Sequence, residues 1–104
     1  MKDKIGQEIV PGSIIAYGVG RGELQMGKVI KFSSKVVNRY NFGNYDQYKI
    51  TVCALHKKFD KLENRYYYEA AERTSTLQFP SRMVVVANES LPLELREAAD
   101  RIKV

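Results

Sequence analysis

Between Glu23 and Asp46 the chain carries no acidic residue, and within that span stand Lys28, Lys31, Lys35 and Arg39, interleaved with Phe32, Tyr40, Phe42 and Tyr45. Lysine and arginine neutralise phosphates, and aromatic rings offer stacking platforms for unpaired bases, so cations and rings in one segment are the chemistry of nucleic-acid contact. The same residues also suit a plainer role, with rings packed under a loop and charges facing water. The sequence leaves both open. Just upstream, Gly18-Val-Gly-Arg-Gly22 surrounds Arg21 with glycines. Backbone amides together with Arg21 could hold a phosphate, or the glycines could simply shape a hairpin tip. A second basic cluster, Lys57, Lys58, Lys61 and Arg65, precedes Tyr66, Tyr67 and Tyr68. Alternation along a strand leaves at least one of these rings exposed, which also suits a protein interface.

Other chemistries lack parts. Gly22-Glu-Leu-Gln-Met-Gly27-Lys28 has the spacing of a phosphate-binding P-loop, but Val29 follows where a magnesium-binding hydroxyl belongs. A P-loop must also open a helix, and the residues after Gly27 read as a strand. The glycines at 18, 20 and 22 miss the dinucleotide-binding spacing, and no βαβ unit follows them. Cys53 and His56 are the only soft donors. They supply two of the four ligands of a structural zinc site, and a separation of three puts them on opposite faces of a strand. The carboxylates are scattered, mostly beside Lys or Arg. The expectation is a non-enzymatic protein with no cofactor and no metal.

A chain of 104 residues is normally one domain with a modest core. Seventeen basic against twelve acidic residues give a net charge of +5, which suits a polyanionic partner without requiring one. A hydrophobic fraction of 44% is a globular composition. The single cysteine excludes an internal disulfide framework and fits a reducing compartment. No apolar run approaches the roughly 18 residues that span a bilayer, so no membrane association is expected. Residues 1–8 contain no signal-peptide core, and the expected location is cytoplasmic.

These groups must be held by something, and turn signals divide the chain. Residues 1–9 are polar and read as a loose lead-in. Pro11-Gly12 marks a turn. Strands are predicted over 13–17 and 26–32, with a glycine loop over 18–25. Residues 33–46 lack periodicity and contain Asn38, Asn41, Gly43 and Asn44, so they read as a long loop. Residues 47–55 are the clearest strand, with Tyr48, Ile50, Val52 and Ala54 alternating with Lys49, Thr51 and Cys53. Residues 56–64 read as a polar turn. Residues 65–74 suit either a strand or a helix, and 82–87 a buried strand. Leu91, Leu95, Ala98 and Ile102 fall on one face of a C-terminal helix with Pro92 near its start. The domain plan is one unit: lead-in 1–9, barrel 10–90, helix 91–104.

The opening Val10-Pro-Gly-Ser-Ile-Ile-Ala-Tyr-Gly-Val-Gly, followed by Gly27-Lys-Val-Ile-Lys-Phe, resembles the first hairpin of SH3-like barrels of the KOW and Tudor type. Phe79-Pro-Ser-Arg-Met-Val-Val-Val resembles their closing strand, entered through a short turn. The matching segments cover roughly a third of the chain, and the segment 33–46 is longer than the family usually carries. The resemblance implies a small antiparallel barrel of about five strands and binding to RNA, DNA or the transcription and translation machinery.

The resulting expectation is a nucleic-acid-binding accessory protein, for DNA or RNA, contacting phosphates through Arg21, Lys28, Lys31, Lys35, Arg39, Tyr40 and Phe42. Lys28 and Lys31, three apart on an ideal strand, would point to opposite faces. Lys35 and Arg39, in a loop, would be free to reorient. The alternative is a protein-binding adaptor or inhibitor, with a host nucleic-acid-processing complex as one kind of target.

Overall fold

The computed structural model describes residues 1–20, 22–39 and 43–104, with Arg39 and Tyr45 described by their backbone alone. Its strands are β1 (Ile14–Gly18), β2 (Leu24–Arg39), β3 (Gly43–Asp60), β4 (Arg65–Ala70), β5 (Ser75–Leu77) and β6 (Met83–Val86). One helix, α1 (Leu93–Asp100), follows. All pairings between these strands are antiparallel, in the order β4-β3-β2-β1-β6, with β5 beside β3 next to β4. Strand β3 is the spine. Its 18 residues, at about 3.3 Å each, match the 58 Å long axis of a molecule only 27 and 24 Å across.

The predicted entry turn forms. Ser13 N–H donates to Val10 C=O at 3.0 Å, and Gly12 takes φ of +95°, the positive value that a type II turn needs after Pro11. Gly27 serves a different need. A β-carbon there would lie 2.5 Å from Val52 Cγ1 and 3.1 Å from Cys53 C=O, so the two strands approach too closely for a side chain.

Each sheet face carries its own core. Ile9, Ile15, Tyr17, Val29, Ile50, Val52 and Met83 pack on one face. Ile14, Leu55, Leu91, Leu95, Ala98 and Ala99 pack on the other, beneath α1. The apolar stripe read from the sequence is therefore what seats the helix, although α1 itself begins at Leu93, after buried Leu91 and with Pro92 as its N-cap.

Several expectations are corrected. Residues 33–39 and 43–46 are not loop: β2 and β3 stay paired from Met26↔Leu55 out to Arg39↔Gly43. Residues 40–42 of the expected loop lie outside the described residues. Residues 56–60 are not turn but continue β3 opposite β4, and of the two readings open for 65–74 the structure gives a strand at 65–70. The turn between them is confined to 61–64, where Asn64 takes φ of +53°. Residues 1–9 are not a loose lead-in. Ile9 is fully buried, Lys2 bridges Glu8, and Lys4 N–H donates to Met83 C=O at 2.9 Å. Nor do the strand ladders close a barrel: among the described residues β6 pairs with β1 alone, and its outer edge is met by residues 3–7. The architecture is an open, mainly antiparallel sheet with a C-terminal helix.

Candidate nucleic-acid interface

β1 ends its pairing with β2 at Ile14↔Lys28, and β5 reaches only to Ile50 on β3. Beyond Phe32↔Ile50 no further strand flanks the β2–β3 ribbon among the described residues. From Ser33↔Lys49 to Arg39↔Gly43 it is a two-stranded arm. Seven pairs at about 3.3 Å per residue make it roughly 23 Å long.

The register decides which side chains share a face. Lys28 pairs with Cys53 and Val29 with Val52, but the next pair is Lys31↔Thr51, so Ile30 is an extra residue in β2. This bulge shifts the alternation by one. Lys28 and Lys31, expected on opposite faces, therefore share the face on which α1 lies. Beyond it the same face carries Ser33↔Lys49 and Lys35↔Gln47. Arg39, paired with Gly43, falls in the same alternating row.

Lys28 is already engaged. Its Nζ donates to the C=O groups of Ala99 and Ile102, both at 2.9 Å. It thus meets carbonyls at the negative dipole end of α1, of which Ala99 C=O also accepts from Ile102 N–H at 3.0 Å. The lysine first matched to a P-loop is a helix cap from a strand, and Gly27-Lys28 lies inside β2. Lys31, Lys35 and Lys49 are exposed, and none makes an ion pair among the described residues. Asp46, the acid that ends the acid-free span, pairs with Val36 and belongs to the opposite face. It accepts a long hydrogen bond, 3.5 Å, from the Tyr48 hydroxyl. Phe32, opposite Ile50, and Tyr48, opposite Ser34, are also on that reverse face. Phe32, which interleaves with the lysines in the sequence, is thus on the face opposite to them, whereas Tyr45, opposite Val37, has its register position in the lysine row.

Of the expected contact residues, Lys31 and Lys35 come together, and Lys35 is held in a strand where loop freedom was expected. Arg21, Tyr40 and Phe42 lie outside the described residues. Lys49 reads from the sequence as a strand residue and not as a contact. The signal was available in the alternation of 47–55, but its pairing with Ser33 across an unforeseen ribbon was not.

The second cluster sits at the other end of β3. Phe59 and Tyr66 pair with ring centroids 5.0 Å apart, and Lys57 Nζ stands 4.4 Å over Tyr66. On the reverse face Lys58 pairs with Glu69, and the hydrogen bond between them is the main reason the ammonium titrates higher and the carboxyl lower than usual. Cys53 is buried, with Sγ 3.5 Å from Ala71 C=O, whereas His56 is exposed on the opposite face, so they do not meet. Among the described residues no three His, Cys, Asp or Glu side chains gather as metal ligands, and no helix is long and apolar enough to cross a membrane.

Comparison of the chain with protein-family models, with curated proteins and with solved structures gives no match.

Proposed function

We propose that this is a small non-enzymatic accessory protein that binds nucleic acid through the α1-side face of the β2–β3 arm. The observation that carries the reading is the sorting of charge: exposed Lys31, Lys35 and Lys49 share one face, and Asp46 lies on the other. Lys35 and Lys49 on the arm and Lys31 at its base, none in an ion pair among the described residues, meet phosphates without first breaking one, and each contact releases counterions. The strand order also supports the SH3-like, KOW or Tudor type of module: a meander through β4, then β6 returning to β1 after a single 3₁₀ turn at Pro80–Arg82. In that reading the barrel is opened by the elongated ribbon.

The test is fluorescence anisotropy with labelled nucleic acid across a salt series. Combined Lys31→Glu, Lys35→Glu and Lys49→Glu should weaken binding to every sequence alike. The log–log salt slope should become shallower by about 0.9 per lost phosphate contact. A triple variant that melts normally and keeps its affinity removes this surface.

One observation favours the protein-binding alternative. At the β3–β4 hairpin Leu62 is 97% exposed and Tyr66 58%, beside half-exposed Phe59. Exposed rings of this kind anchor protein partners. Under that reading, lysate partners survive nuclease treatment and are lost on combined Leu62→Ser and Tyr66→Ser.

A further inference from the structure

The faces of the arm also bear on which form of nucleic acid it fits. Single-strand binding needs cations and stacking rings on one surface. Here Phe32 and Tyr48, the rings nearest Lys31, Lys35 and Lys49, lie on the opposite face, and Tyr45, opposite Val37, takes its place in the lysine row only beyond Lys35. The lysine face instead carries Ser33, Gln47 and Thr51, whose hydroxyl and amide groups can donate and accept at base edges.

The arm has the dimensions of a groove reader. Two strands about 4.8 Å apart form a ribbon that a B-form major groove, about 12 Å wide and 8.5 Å deep, admits. No third strand flanks it from Ser33↔Lys49 outward among the described residues, although Gln78–Ser81 stand beside the β3 edge at 46–49 near the base, so the ribbon is open beyond that point. Both strands bring cations: Lys31 and Lys35 from β2, about 13 Å apart, and Lys49 from β3, opposite Ser33 and between them. A ribbon lying along the groove thus has ammonium groups on each edge for the phosphates of each wall. The deep, narrow major groove of A-form RNA does not admit side chains in this way.

We propose that the arm binds double-stranded DNA by entering the major groove with its Lys31–Lys35–Lys49 face. This rests on the nucleic-acid reading above and narrows it. The experiment compares the intact protein on three probes of matched sequence, about two helical turns long: DNA duplex, RNA duplex and single-stranded DNA. Binding is read by anisotropy at one salt concentration. The DNA duplex should bind about tenfold or more tightly than either of the others, a difference of about 1.4 kcal/mol. Methyl green, which occupies the major groove, should displace the protein, and netropsin, in the minor groove, should not. Lys35→Glu should lower duplex affinity several-fold with an unchanged melting temperature. Equal or tighter binding to single strands or RNA duplex, or displacement by netropsin alone, overturns the duplex proposal and leaves the nucleic-acid reading standing. No binding to any probe at low salt overturns both.

Discussion

Asp3 stands in a segment that reads as a polar, loose lead-in, yet its side chain organises the edge of the sheet. Its Oδ1 accepts from the N–H groups of Ile5 and Gln7, and its Oδ2 from Val85 N–H and the Gln7 side-chain amide, at 2.7 to 3.0 Å. Four donors converge on one carboxylate that is only 6% exposed. Burial by itself raises the Asp3 carboxyl; the hydrogen bonds from Val85, Gln7 and Ile5 outweigh it and hold the group below its ordinary value. Because the folded value is the lower one, the contribution is fully present above the unfolded value, about 3.9, and is lost as pH falls through the folded one. Asp3→Asn keeps the shape but turns an acceptor into an NH₂ group that faces other donors. It should cost about 1–3 kcal/mol, the scale of leaving a buried donor unmet, in urea unfolding at neutral pH. The variant should also lose part of the wild-type decline in stability below about pH 4. Equal stability of the two proteins at neutral pH would show that residues 3–7 do not hold β6. Nothing in the spacing of residues 1–9 announces this role, because each bond to Asp3 needs either a local turn or a strand more than 80 positions away.

At the scale of elements, the bulge at Ile30 determines the interface. Without that extra residue a ladder running Val29↔Val52 then Lys31↔Thr51 is regular. Deleting Ile30 should therefore preserve the partners of Lys31 and Lys35 and straighten the ribbon, since a bulge bends its strand. The deletion variant should fold and retain the lysine face, with a modest drop in melting temperature from the lost half-buried side chain. Swapped faces would instead abolish binding, because a one-residue slip moves every side chain to the other side of a ribbon. Hydrogen exchange of β2 and β3 together with anisotropy separates the two outcomes. Ideal-strand spacing, which puts Lys28 and Lys31 on opposite faces, does not reveal the bulge, although adjacent Val29 and Ile30 break the polar–apolar alternation there. The arm itself was hidden for a related reason. Both faces of residues 33–38 are in water, so no apolar–polar period marks them, and the asparagines near the tip read as loop. Residues 56–60 were missed in the same way. Strands with one face in a core were legible: 13–17, 47–55 and 82–87 lie close to the observed β1, the middle of β3, and β6. So was the helix stripe, because Leu95 and Ala98 bury against the sheet.

The whole molecule divides into a packed middle and two ends of β3 that do different work. Both cores lie near the middle of the long axis, built on Val29, Ile50, Val52 and Leu55. The lysine arm extends from one end and the Phe59–Tyr66 hairpin from the other. Stability and binding should then be separable. Replacing residues 35–47 by Asn-Gly joins Ser34 to Tyr48, which are already partners across the ribbon. Asn-Gly supplies the two positive-φ positions that a tight hairpin turn needs. None of the described arm residues removed belongs to either core cluster, and a shorter loop lowers the closure cost. The shortened protein should melt within a few degrees of the full chain and keep its β-rich circular dichroism, while losing Lys35 and the free length of ribbon that carries it. Nucleic-acid affinity should fall at least as far as in Lys35→Glu, and the salt slope should flatten. Any protein partner held by Leu62 and Tyr66 should be captured as before. A shortened protein that folds and still binds nucleic acid with the full salt slope would move the interface off the arm. A shortened protein that does not fold would show instead that the two-stranded ribbon belongs to the folding unit.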